Sequence, residues 1–71
     1  MDAVAELLVR NPKITIEIVA KGMAVLFVVK GETTQEVVEL QLWEMARESY
    51  NIAAHEIGNA IRLINNRESA K

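Results

Sequence analysis

Isoleucine falls at every second place in Lys13-Ile14-Thr15-Ile16-Glu17-Ile18-Val19-Ala20. A period of two in β-branched residues predicts a half-buried strand. Met23-Ala24-Val25-Leu26-Phe27-Val28-Val29-Lys30 predicts a second, and Lys21-Gly22 between them offers a glycine for the φ > 0 of a tight hairpin turn. With Lys21 and Gly22 as the two loop residues, Ala20 faces Met23, Ile18 faces Val25 and Ile16 faces Phe27. Ile14, Ile16, Ile18, Val25, Phe27 and Val29 then share one face. The other face holds Thr15, Glu17 and Val19 with Ala24, Leu26 and Val28, and is too apolar for open water.

Ahead of the hairpin, Ala3 to Val9 predicts a short helix with Asp2 as N-cap. Asn11-Pro12 ends it, because Pro12 drives Asn11 out of the α region. After Gly31, Thr33-Thr34-Gln35-Glu36 has the form of a capping box, which predicts a helix starting near Thr34. Glu32, Glu36 and Glu39 near its start and Arg62, Arg67 and Lys71 near or beyond its end suit the macrodipole of one element reaching about Arg67. Ser49-Tyr50-Asn51 is its one soft spot. Such a helix would be roughly 50 Å long, against about 25 Å for the strands, so its second half would overhang the hairpin.

Along that helix Trp43, Tyr50, Ile57 and Ile64 recur every seven residues, with Ala46, Ala53 and Ala60 between them. Alternation by three and four, large then small, is the a/d seam of a coiled coil. Val38, Leu42 and Met45 form a second stripe, assigned to the isoleucine face of the hairpin. An apolar seam beyond the reach of the hairpin calls for a partner, and a second copy of the chain is the simplest one.

Composition sharpens this. Seventy-one residues, 51% of them hydrophobic, make one small α+β domain that buries only about 60% of its unfolded surface. Chains of this size gain stability from disulfides, metals or oligomerisation. There is no cysteine and one histidine, so oligomerisation is the route left, with no metal site and no cofactor expected. A net charge of −2 and three aromatic residues give neither a field that attracts nucleic acid nor a base-stacking platform. The longest apolar run, Met23 to Val29, falls far short of the roughly 20 residues of a membrane span. The N-terminal residues carry no basic, then apolar, signal pattern, and the expected location is cytoplasmic.

Catalytic chemistry finds little to work with. Ser49 and His55, six apart on one helix, point nearly opposite ways, so no serine–histidine pair forms within a chain. Glu44, Glu48 and Glu56 read as a solvated helix face, and Gly22, Gly31 and Gly58 are too scattered for a phosphate loop. The chain is therefore expected not to be an enzyme.

One polar constellation remains. His55, Asn59, Arg62 and Asn66, at i, i+4, i+7 and i+11, line a stripe opposite Ile57 and Ile64. Its bland reading is a solvated face. Its functional reading is the recognition helix of a small dimeric helix-turn-helix DNA binder, entered through a turn near Tyr50-Asn51. Glu36, Glu39, Glu44 and Glu48 would repel phosphates, and the heptad runs on through the supposed turn. The leading expectation is thus a homo-oligomeric protein-interaction, scaffold or regulatory module, a dimer or higher with room for a further protein partner, with an interface of Trp43, Ala46, Tyr50, Ala53, Ile57, Ala60 and Ile64 on the helix and Val19, Leu26 and Val28 on the hairpin. The nucleic-acid reading stands as its alternative.

Overall fold

The computed structural model describes residues 3–42 and 49–69. Its elements run α1 (Ala3–Arg10), β1 (Thr15–Lys21), β2 (Ala24–Lys30), β3 (Gln35–Gln41) and α2 (Ser49–Ser69). The strands form one antiparallel sheet in the order β1-β2-β3. The class is α+β, as the pattern of residues predicts, with one strand more and a shorter second helix.

The N-terminal helix stops where Pro12 requires. The Asn11 backbone N–H and its side-chain amide both donate to the Leu7 carbonyl, at 3.1 and 2.8 Å, so the last turn is closed from outside the helix. The expected cap, Asp2, lies outside the described residues.

The hairpin forms in a register shifted by two from the expected one. Lys21 faces Ala24, Ala20 faces Val25, Ile18 faces Phe27 and Ile16 faces Val29. The loop is therefore Gly22-Met23, with Gly22 at φ 58 and Met23 at negative φ. That combination is the signature of a type II′ turn, which places glycine first; a Lys21-Gly22 loop of type I′ would force lysine to positive φ. A shift of two preserves the facing of every side chain, so the isoleucine face survives.

Residues 35–41 form a strand where a helix is expected, which is the main correction to the sequence reading. Glu36, Val38 and Leu40 turn inward beside Val29, Phe27 and Val25, while Gln35, Val37, Glu39 and Gln41 turn outward. The reason lies in β2. Its run of apolar residues on both faces is that of a central strand, which needs a neighbour on each side. A lone hairpin is marginal in water, whereas three strands and a helix are self-supporting. The Thr33-to-Glu36 signal is satisfied by a turn instead: the Gly31 N–H donates to the Thr34 carbonyl at 2.8 Å and carries the β2–β3 register into the loop.

The second helix is described from Ser49 and runs unbroken to Ser69. The place proposed for a helix-turn-helix turn, around Tyr50-Asn51, lies in its first turn. It packs over β3 and β2, and α1 lies against α2. The core is the space between: Ile14, Phe27, Val29 and Leu40 from below, Ala53, Ile57, Ala60, Ile61 and Ile64 from above, with Val4, Leu7 and Leu8 closing it. Val29, Ile57 and Ile64 are fully buried. Both helices thus lie on one face of the sheet.

Candidate interaction surface

The heptad residues that α2 describes are spent inside the chain. Ala53, Ile57, Ala60 and Ile64 all face the sheet and are buried against it. A stripe repeating by three and four is also what a helix presents to a sheet, and the described α2, 21 residues or roughly 32 Å long, is much shorter than the expected helix. Trp43 and Ala46 lie outside the described residues, as does the side chain of Tyr50.

His55, Arg62 and Asn66 are exposed on the outer side of α2, and Asn59 is half-buried beside them. The adjoining Arg67 is held by Glu36 of β3. Among the described residues no three acidic or histidine side chains converge as a metal site would need, and no described helix is long and apolar enough to cross a membrane.

The end of α2 grips the β2–β3 turn. Glu68 Oε1 accepts the Thr33 backbone N–H at 2.9 Å and stands 3.4 Å from Thr34 Oγ1. These donors, the Thr33 N–H foremost, hold its carboxyl below the ordinary carboxylate value. Gly31 permits the approach, since a Cβ there would meet Glu68 Oε1 and Ile64 Cγ2 at 2.5 Å each. The arrangement is a clasp between helix and turn, and the shallow hollow lined by Lys30 to Gln35 belongs to it.

No described element covers the other face of the sheet, although Ala24 at its hairpin end is buried. Register places four rows across it: Thr15, Lys30 and Gln35; Glu17, Val28 and Val37; Val19, Leu26 and Glu39; Lys21, Ala24 and Gln41. Val19, Leu26, Val28 and Val37 form a diagonal apolar band through the middle rows. Val19 and Val37 are 38% and 54% exposed, and Leu26 and Val28 are partly exposed between them. On one flank Lys30 Nζ binds Glu17 Oε2 at 2.9 Å and holds that carboxyl low; on the other Gln41 Nε2 donates to Glu39 Oε1 at 3.2 Å. Val19, Leu26 and Val28 are readable as this surface from the hairpin alternation alone. Val37 and Glu39 are not, because they join it only once residues 35–41 form a strand.

The edge formed by β1 is exposed too. The helices cover β2 and β3, so Ile18, on the helix-bearing side, remains 66% exposed, and of all β1 only Ile16 is even half-buried.

These features define a two-layer α+β domain, a three-stranded antiparallel sheet with helices on one face and no described element on the other. Comparison with protein families, characterised proteins and solved structures finds no match to this chain.

Proposed function

We propose that this protein is a non-catalytic, homo-oligomeric interaction module that presents its open sheet face. One observation carries the reading: the apolar band of Val19, Leu26, Val28 and Val37 is contiguous, framed by charge, and covered by no described element. Isolated surface valines need no explanation, whereas a connected apolar strip rimmed by polar residues marks a contact site. Antiparallel sheets do tolerate water on one side, but with polar residues outward; here the middle of the outward face is aliphatic. The size of the chain points the same way, since a domain of 71 residues without cysteine gains stability by association.

The test is absolute mass by light scattering from micromolar to near-millimolar chain concentration. A mass of two or more chains at the upper end is expected. A mass of 7.9 kDa at every concentration would remove the reading.

A further inference from the structure

We propose that two copies of this chain join edge to edge through β1, antiparallel and in the register that sets Val19 opposite Val19 of the second copy, making one continuous sheet of six strands from two of three. The inference rests on the self-associating reading above and names its partner and contact.

Backbone direction comes first. The Leu42 N–H donates to the Met23 carbonyl, so the odd-numbered residues of β2 bond to β3 and the even-numbered ones to β1. The β1 partners of those even residues are Thr15, Glu17, Val19 and Lys21. Ile16, Ile18 and Ala20 therefore aim their N–H and C=O groups outward, and among the described residues they meet no strand. An exposed strand edge is a template for another strand. Between Ile14 and Ala20 there is no proline, glycine or lysine to blunt it.

Charge then chooses the edge and the register. β3 carries Glu36 and Glu39 and no base, and Arg67 already holds Glu36, so two β3 strands side by side gain no cross-strand ion pair. β1 carries Glu17 and Lys21, one of each sign. Set Val19 opposite its own copy, and Glu17 falls opposite Lys21 of the second chain, twice over, on the open face. On the helix-bearing face the exposed Ile18 falls opposite Ala20. Each Ile18–Ala20 pair exchanges both backbone hydrogen bonds, while Val19–Val19 is a close non-bonded pair. The neighbouring register, Ile18 opposite Ile18, sets Glu17 against Val19 and brings the two Glu17 residues diagonally near.

Area argues against stacking of the open faces alone. A face of three seven-residue strands is roughly 350 Å² in plan, so two stacked faces hide roughly 700 Å², below the ~1,200 Å² of a stable interface. Edge pairing adds directional hydrogen bonds instead. It also joins the two apolar bands through Val19 into one strip across the new sheet. A β1-to-β3 contact between copies would be head-to-tail and give rings or open filaments, not a two-fold pair.

The experiment uses the full chain and light scattering, with circular dichroism as the check on folding. Ala20→Pro removes an N–H that only the second copy uses, and proline is tolerated where an edge N–H faces solvent. A folded monomer is expected at concentrations where wild type is a dimer. Lys21→Glu should raise the dimer Kd about tenfold by turning two attractive cross-strand pairs repulsive, and Glu17→Lys with Lys21→Glu should recover part of that loss, the remainder being the ion pair of Glu17 with Lys30 that the swap breaks. Val19→Cys, in a chain without other cysteines, should form an intermolecular disulfide on mild oxidation, because Cα atoms in such a pair are about 4.5 Å apart. Val37→Cys on the far edge should not. A folded Ala20→Pro chain that remains a dimer would overturn the edge contact and leave self-association standing. Efficient cross-linking at residue 37 in place of 19 would do the same, and a monomeric wild type would remove both.

Discussion

Three glycines in this chain do three different things, and substitution separates them. Gly22 supplies the positive φ of the hairpin turn. Gly31 makes room for Glu68 and Ile64, where a methyl group would sit 2.5 Å from each. Gly58, inside α2, would bring a new Cβ only to ordinary contact with Leu7 Cδ2 at 3.9 Å. Gly31→Ala should therefore cost about 1–3 kcal/mol through overpacking, and Gly58→Ala should gain about 0.5–1 kcal/mol from helix propensity. Urea midpoints of the two variants would move in opposite directions; equal losses would show that Gly58 too is held by close packing. The clasp has a pH signature as well. The Glu68 carboxyl is lowered from its ordinary 4.5, chiefly by the Thr33 N–H, and Glu17 is lowered by its hydrogen bond and ion pair with Lys30. A lowered folded-state pKa means stability fully present above about 4.5 and lost as pH falls through the folded value. Acid titration of unfolding should show that decline, with a shallower slope in Glu68→Gln; an unchanged slope would mean the clasp contributes nothing to acid sensitivity.

The elements differ in how plainly their residues announce them. Helix α1 and strands β1 and β2 are legible because period and punctuation agree: Asn11-Pro12 stops the helix, and isoleucine at every second place leaves little but a strand. Strand β3 is hidden by a local signal. Thr33 and Glu36 have the spacing of a capping box, and Gln35-Glu36-Val37-Val38-Glu39-Leu40-Gln41 contains good helix formers with Val38 and Leu42 four apart. Tertiary context wins, because central β2 has apolar side chains on both faces and an unfilled edge. Reading β2 as a central strand would have exposed the alternation in residues 35–41. The same misassignment lengthens the helix and makes its core stripe look like a seam. The corrected boundary changes what proline does at residue 49. Ser49 is the first described residue of α2, and a helix that starts there accepts proline in its first turn, so Ser49→Pro should alter stability by less than about 1 kcal/mol. Ala60→Pro, in the buried middle, should cost about 3 kcal/mol or more. Helical circular dichroism on heating would distinguish them, and a Ser49→Pro chain as damaged as Ala60→Pro would place the helix start earlier than Ser49.

At the scale of the molecule, packing is one-sided. Among the described residues, everything that buries Ile57 and Ile64 lies between the helices and one face of the sheet, and no described element covers the β1 edge or the apolar band, which are open to a partner. If that is a second copy, folding and association are linked, and the melting temperature depends on concentration because only the folded chain presents β1 as a strand. Each tenfold rise in chain concentration above the dimer Kd then adds about 0.7 kcal/mol of stability per chain, half the ~1.4 kcal/mol of a tenfold change in an equilibrium constant. For a domain of this size that corresponds to a few degrees in Tm. Calorimetry at ten and at several hundred micromolar should therefore show wild type melting higher at the greater concentration, while Ala20→Pro, folded but unable to extend the ladder, melts at one temperature throughout. A concentration-independent wild-type Tm over a range where light scattering reports a dimer would mean that the contact forms without stabilising the fold. The edge would then join chains that are already complete, and the open face would have to find its stabilising partner elsewhere.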